Sequence, residues 1–494
     1  MVEHNSNLEY TIDTFSDQLV CCQDARLALE KKYANLLELT NKFNRQHVSY
    51  QANKTEALHD WLKYKEGFSA TLVKMLIDDF KLKPGNLIMD PFMGSGTTSL
   101  VSQKHGIHSV GFDILPTSKV AFDVKINAAN FDIVLLNNVL NEICKLDFPK
   151  NNKGIFSRVS ITSGALSDDA ESEVVFLTDW INKSNYKDNV KELIRFLIMA
   201  ALEDISYTRK DGQYLRWDYR SSKIIQANRE RLARGKPSFK TKLDKGEIPS
   251  LKRIILTQLS KVISDIQEVK KEMKELPTSK HQLILGSVLT ELPKYDSTKV
   301  DCVITSPPYC NRYDYTRTYA LELVYLGLSR DQIRDLRQTL LTCTVENRSK
   351  LNQLKQYYTQ VNCSERFEEV IAAVNSNAAL QEVLTSLRKR SERGDINNKG
   401  VIRMVEGYFT ELAFVFKELH RVCKDGTHVV FVNDNVRYAG EVIPVDFITT
   451  ELAESFGFTP IKVYVLPQKK GNSSQQMKKF GQVRLRKSIT IWKK

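Results

Sequence analysis

The stretch Asp90-Pro-Phe-Met-Gly-Ser-Gly-Thr-Thr98 constrains this chain more than any other segment. Before it, Asn86-Leu-Ile-Met-Asp90 reads as a short buried strand. After it, Thr98–Lys104 begins a helix, and His108-Ser-Val-Gly-Phe-Asp-Ile114 reads as the next strand, broken by Pro116. Strand, helix and strand at this spacing predict a parallel sheet covered by helices. The tight loop Gly94-Ser95-Gly96 lets backbone N–H groups approach a ligand, because glycine carries no Cβ. It is not a phosphate-binding P-loop, since no Gly-Lys-Ser/Thr follows. Nor is it a full G-x-G-x-x-G signature, since position 99 is Ser. Asp113, ending the next strand, is placed to accept hydrogen bonds from both hydroxyls of a ribose, although a solvated strand-end acid would look the same.

A second motif follows the strand Val300-Asp-Cys-Val-Ile-Thr305: Ser306-Pro307-Pro308-Tyr309. An exocyclic amine on cytosine or adenine is a poor nucleophile, because its lone pair is delocalised into the ring. Acceptors on its two N–H groups localise that lone pair and aim it. Ser306 Oγ and the Pro307 carbonyl are suited to this, in a loop that proline stiffens. Tyr309 offers a flat face for a base to stack on. A base inside a duplex has to be extruded to reach such a loop. The methylated amine is strongly acidic, so the lack of an obvious catalytic histidine is no obstacle. The same four residues could also be a plain turn at a strand end. Cys310 sits in Pro-Tyr-Cys-Asn, not in the Pro-Cys-Gln setting of a base-attacking cysteine, and reads as structural. Asn311–Arg317 reads equally as a phosphate clamp or as the polar start of a helix.

With both motifs in view, the chain resembles the amino-methylating DNA methyltransferases that use S-adenosylmethionine. Its Ser-Pro-Pro-Tyr form is most similar to the branch that methylates N4 of cytosine. The resemblance covers about 57–128, 280–325 and 400–494. It implies a Rossmann-like α/β fold: a mostly parallel twisted sheet, helices on both faces, an antiparallel last strand and two largely helical insertions. It implies that Asp90, Phe92, Gly94, Ser95, Gly96 and Thr97 surround the cofactor, that Asp113 holds its ribose and that Phe68 closes its methionine end. By the resemblance alone, Ser306, Pro307, Pro308 and Tyr309 form the catalytic loop. Where the family often has Gly-Asp, this chain has Gly286-Ser287, so an adenine contact would fall to a hydroxyl or backbone group. The implied partners are double-stranded DNA and, functionally, a cognate restriction endonuclease; no metal is expected. Adenine-N6 methylation is the nearest alternative, though such enzymes usually carry Asp or Asn at the position of Ser306. A guanine-N2 RNA methyltransferase and a non-catalytic DNA-binding protein lie further off.

Charge agrees with a polyanionic partner: the net formal charge is +13. Residues 209–252 carry thirteen Lys/Arg against five Asp/Glu, interleaved with Tyr214, Trp217 and Tyr219. The tail 461–494 carries ten Lys/Arg and no acid. The expected organisation is a helical segment 1–56, cofactor-binding part 57–130, basic insertion 131–280, catalytic part 281–325, helical insertion 326–400 and closing part 401–494. Residues 8–45 read as one helix with Ala25, Leu29, Tyr33 and Leu36 on its packed face, and Asn44–Glu56 as a polar link. The first insertion, which holds Arg216, Arg220, Arg229 and Arg231, is the better candidate for reading DNA. The loop Lys469–Lys479, with Asn472, Ser473, Gln475 and Gln476, is a second. The eight cysteines show no CxxC spacing and read as reduced thiols. No apolar run approaches the ~20 residues that span a bilayer, and no signal peptide is evident, so a cytoplasmic location is expected.

Overall fold

The computed structural model describes residues 11–149, 159–211, 214–239, 241, 243–274, 276–467, 477–481 and 483–494. The strands are β1 (Leu37–Leu39), β2 (Leu87–Asp90), β3 (His108–Asp113), β4 (Thr208–Asp211), β5 (Tyr214–Trp217), β6 (His281–Leu285), β7 (Val300–Thr305), β8 (Cys423–Asp434), β9 (Val436–Tyr438), β10 (Glu441–Ile443), β11 (Thr459–Val465) and β12 (Lys487–Lys493). Eight of them form one sheet in the order β1-β11-β12-β8-β7-β2-β3-β6. Only β12 runs against its neighbours in that sheet. The expected α/β sheet with an antiparallel last strand is therefore present. Strand β12 is interior, because β11 lies beyond it and β1 beyond that.

Helices labelled here are α1 (Asp24–Tyr33), α2 (Ala70–Asp79), α3 (Thr97–Gln103), α4 (Pro116–Ile126), α5 (Ile133–Lys145), α6 (Asp168–Lys183), α7 (Asp188–Ala201), α8 (Ser222–Ala233) and α9 (Leu251–Met273). Successive strand residues point to opposite faces of the sheet. Met89, Val303, Val429 and Phe431 enter one core with the helix Gly400–Val422. Ile88, Cys302, Ile304, Val430 and Val432 enter another with α2. Burial on both faces is why the central strands read as unbroken apolar runs. A third core joins α5, α6, α7 and α9 to Trp61, Leu62, Ala121 and Leu321.

The expected 8–45 helix is a correction. Helix α1 covers only Asp24–Tyr33, and Leu37-Glu-Leu39 then adds β1 to the sheet edge, with Leu37 opposite Val463. A pairing partner more than 400 residues away overrides local helical periodicity. Leu29 and Tyr33 do pack on the body of the protein. Residues 1–10 lie outside the described residues. Asn44–Glu56 is no loose link either: Tyr50 and Asn53 are buried. Pro116 occupies the first turn of α4, where its missing N–H costs nothing. The basic patch of the first insertion contains α8.

The strand order reverses between β2 and β7, and ligands of open α/β sheets bind at the carboxyl ends of strands beside such a reversal. Asp90 and Thr305 are the last residues of these two strands. Among the described residues, no helix is long and apolar enough to cross a membrane.

Candidate active site

The loops leaving β2 and β7 emerge side by side, and Asp90 is their shared anchor. Its Oδ1 accepts from Thr305 Oγ1 at 2.7 Å and from the Phe92 N–H at 3.1 Å, and its Oδ2 accepts from Thr98 Oγ1 at 2.7 Å. Gly94 and Gly96 have φ of +55° and +91°, the left-handed region that favours glycine. A Cβ on Gly94 would also lie 2.7 Å from Tyr64 Cε1, so the loop rests directly on that ring. The loop is tied to β3 through Asp113, which accepts from the Gly94 N–H at 2.9 Å and the Leu115 N–H at 2.8 Å.

One cleft opens above these loops. Of the residues expected from sequence, Phe68, Asp90, Phe92, Gly94, Ser95, Thr97, Asp113, Ser306 and Pro308 line it. Gly96, Pro307 and Tyr309 do not: Gly96 sits at the start of α3, its Cα facing Phe122, while the other two belong to the loop behind Ser306. Gly286 and Ser287 line the cleft as well, and the Gly286 N–H donates to the Asp113 carbonyl at 2.9 Å.

Among the lining residues that were not anticipated are Asn53, Tyr64 and Glu66. Asn53 donates to the Phe68 carbonyl at 3.0 Å and accepts from the Ala70 N–H at 2.9 Å, fixing the turn that presents Phe68. The hydroxyls of Tyr313 and Tyr319 both donate to Glu66, joining the segment before the cofactor loop to the segment after Ser306–Tyr309. Tyr64 stacks on Tyr319 with centroids 5.3 Å apart.

The cleft is acidic. Glu66, Asp90 and Asp113 line it, and no described lining residue is Lys, Arg or His. Burial pushes Asp90 up to about 6, against the hydrogen bonds from Thr305 and Thr98. Burial likewise pushes Asp113 up to about 6, against those from Leu115 and Gly94. Glu66 is raised by the same cause. Carboxylates held this way gain from a cationic ligand.

Ser306 Oγ lies 3.2 Å from the Val432 carbonyl and 3.2 Å from the Tyr309 hydroxyl. A hydroxyl has one proton and two lone pairs, so donation to either group leaves Ser306 acceptor capacity for the cleft. Lys487 Nζ donates to the Tyr309 hydroxyl at 3.3 Å, lies 4.9 Å from its ring centroid and pairs with Asp434 at 2.8 Å. One face of the ring expected to stack a base is thus approached by an ammonium. Cys310 is fully buried, burial pushes its thiol up, and its carbonyl accepts from the Tyr438 hydroxyl at 2.7 Å. The segment Asn311–Arg317 does open a helical turn, Tyr315–Thr318, capped by Asp314. The basic loop from Lys469 through Gln476 lies outside the described residues. Among the described residues no His/Cys/Asp/Glu cluster could hold a metal ion.

The reversed strand order and the acidic cleft over a glycine-bent loop suit the cationic nucleoside cofactor of a methyltransferase. Known proteins agree. A family model described as DNA methylase matches residues 15–119. Type II methyltransferase M.BsoBI of Geobacillus stearothermophilus is 53% identical over 490 residues, 99% of this chain and 96% of the relative. Type II methyltransferase M.AvaI of Anabaena variabilis is 38% identical over 474 residues, 94% and 92% of the two chains. M.MjaII of Methanocaldococcus jannaschii is 29% identical over 175 residues, 35% and 29%. The chain belongs to the type II DNA methyltransferases, amino-methylating enzymes of restriction–modification systems, and its cofactor is S-adenosylmethionine. The cleft fits that cofactor, whose sulfonium and ammonium charges match the three carboxylates.

Proposed function

We propose that the enzyme methylates N4 of a cytosine swung out of duplex DNA and so protects its site from a cognate endonuclease. The observation that carries this reading is Ser306: a lining hydroxyl whose proton is taken up by Val432 or Tyr309, leaving lone pairs toward the cleft. Bound S-adenosylmethionine supplies an electrophilic methyl group. Asp113 holds the ribose hydroxyls, Phe68 closes the methionine end, and Asp90 with Glu66 balances the positive charge. Ser306 Oγ accepts one hydrogen of the cytosine amine and the Pro307 carbonyl the other, which localises the lone pair and aims it. The aimed amine nitrogen would take the methyl group that the bound cofactor would supply, leaving a neutral thioether. The amine is then cationic and strongly acidic, and it sheds one proton toward solvent without a dedicated base. Tyr309, its hydroxyl held by Ser306 and Lys487, steadies the loop and the extruded base. Residues 57–130, 281–325 and 401–494 make up this catalytic part.

The test is to express the protein in a host without DNA methylation, digest the genomic DNA and weigh the nucleosides. N4-methylcytosine is the expected product. N6-methyladenine in its place would overturn the assignment of the base, and no methylated base at all would overturn the reaction.

A further inference from the structure

Residues 219–239 leave the first insertion from a fixed base. Asp218 is fully buried. It accepts from the Arg220 N–H at 3.0 Å, the Arg220 guanidinium at 2.9 and 2.8 Å, and the Lys245 N–H at 2.7 Å. A parallel bridge joins Asp218 to Leu243, so outgoing and returning chain meet there. Lys245 Nζ then donates to the carbonyls of Ser206 at 2.6 Å and Thr208 at 3.0 Å, which locks the return to the segment after α7.

Beyond this base nothing is buried: no residue from Ser222 to Phe239 falls in the interior. A helix of twelve residues with no packed face gets little stability from tertiary burial. Its first turn rests on the body, where Lys223 Nζ donates to the Ser160 carbonyl at 3.3 Å and lies 4.3 Å from the Trp217 ring centroid, and the rest is braced against itself. Phe239 donates its N–H to Asn228 Oδ1 at 2.6 Å, Asn228 Nδ2 returns a bond to the Phe239 carbonyl at 3.2 Å, and Arg231 Nε donates to the Pro237 carbonyl at 2.9 Å. Lys223, Arg229 and Arg231 face a single acid, Glu230, within α8, and Arg234 and Lys236 follow. Leu232 is 61% exposed and Phe239 56%. The result is a stiff, basic projection.

Its position is tied to the catalytic loop. The β4–β5 hairpin runs directly into it, and β5 packs on the helical turn Tyr315–Thr318. Lys210 of β4 forms a buried ion pair with Glu322 and lies 4.3 Å from the Tyr319 ring centroid.

We infer that residues 219–239 are a DNA-reading finger, with α8 seated in the major groove beside the target base. The inference rests on the DNA-methylating reading and goes further by naming the element that grips the duplex. A helix ~10–12 Å across fits a groove ~12 Å wide. The exposed cations take phosphates or guanine edges, and Leu232 and Phe239 supply apolar contacts for thymine methyl groups. Buried groups at the base, not at the tip, set the angle at which the finger meets the duplex.

The test uses the full-length protein carrying R229A, R234A and K236A together, with R229Q as a single variant. Duplex binding is followed by fluorescence anisotropy across a salt series, methylation by label transfer, and cofactor affinity by calorimetry. The triple variant should lose at least ~30-fold in kcat/KM for DNA and flatten the log–log salt slope by about 2 to 3, one phosphate per lost cation. Its cofactor Kd should stay within twofold, which shows a folded enzyme. R229Q should relax the methylated sequence at one or two positions in methylome sequencing. An unchanged salt slope with unchanged kcat/KM would overturn the finger. So would a variant that alters only self-association in sedimentation, which would make the projection a protein–protein surface. If the native enzyme methylates no DNA while the salt slope still falls in the variant, the methylation reading fails and the finger stands.

Discussion

Thr305 Oγ1 donates to Asp90 Oδ1 at 2.7 Å, a bond between the last residues of two adjacent parallel strands. Each residue opens a different loop, one toward the cofactor and one toward the base, so a single hydroxyl sets their mutual height. Losing a hydrogen bond to a buried carboxylate costs about 1.5–3 kcal/mol. Thr305→Val should therefore weaken cofactor binding about tenfold and slow methylation by more. Calorimetry and single-turnover rates check this, and values within twofold of the native enzyme would make the contact idle.

Ser306→Ala should cut the single-turnover rate about 100-fold, the scale expected when a positioned acceptor on the reacting group is lost. Cofactor affinity should barely change. Lys487→Met should cost less, about tenfold, because Lys487 reaches Ser306 only through the Tyr309 hydroxyl. Equal rates for Ser306→Ala and the native enzyme would refute the role of the serine.

Cofactor affinity should fall as pH drops below about 6. Burial raises Asp90 and Asp113 to that value, and only their charged forms attract a cation. Stability of the cofactor-free protein runs the other way. The folded carboxyls keep their protons up to about 6 while unfolded ones release them near the ordinary value of 3.8, so stability declines as pH rises through that window. Titration calorimetry and thermal melts between pH 4.5 and 8 separate the two effects. A flat binding profile would mean that the carboxylates do not face the bound cation.

Lys125 is fully buried on α4, with no hydrogen-bond partner for its Nζ, and burial lowers it to about 7. The unfolded chain holds this proton up to the ordinary value of 10.5, so stability should rise with pH between about 7 and 10.5. Lys125→Met should remove that slope and stabilise the protein at neutral pH by ~2 kcal/mol. Denaturant melts at pH 7 and 9 decide. A destabilised variant with the slope intact would show that the ammonium is satisfied.

Glu441 is fully buried between Arg26 at 3.0 Å and Arg390 at 2.9 Å, and it ties α1 to the helix Ala378–Glu392. Glu441→Gln removes the charge that two guanidinium groups share, while Arg26 keeps Glu382 and Arg390 keeps Asp395. It should cost about 1–3 kcal/mol, with the kinetic constants of the surviving folded enzyme unchanged. Altered kinetics at full occupancy would place this network in the catalytic machinery.

The sequence displays best what is local. The glycine-bent loop, the proline-stiffened loop and the apolar strands each declare themselves within ten residues, because turn chemistry and strand burial are short-range properties. Asp113 and Ser306 could be nominated for that reason, whereas Phe68 is nominated only through the family resemblance. Strand β1 escaped notice because Leu37-Glu-Leu39 is a strand only beside β11. Glu66 stands within the part 57–130 expected to bind the cofactor, yet its meaning depends on Tyr313 and Tyr319, about 250 residues on. Lys487 and Asp434 reach Tyr309 only because β12 pairs with β8. Helix α8 carries no apolar stripe to announce it, since it buries nothing.

Because the chain leaves and re-enters at Asp218 and Leu243, the span between them behaves as a closed loop on a clamped neck. Each doubling of such a loop adds only ~0.6 kcal/mol of closure entropy. Residues gained or lost there put no tension on the cleft, so a lineage can lengthen, shorten or exchange the span at small thermodynamic cost. Enzymes descended from a common catalytic frame should then differ most in length between these two positions, with the neck itself keeping its dimensions.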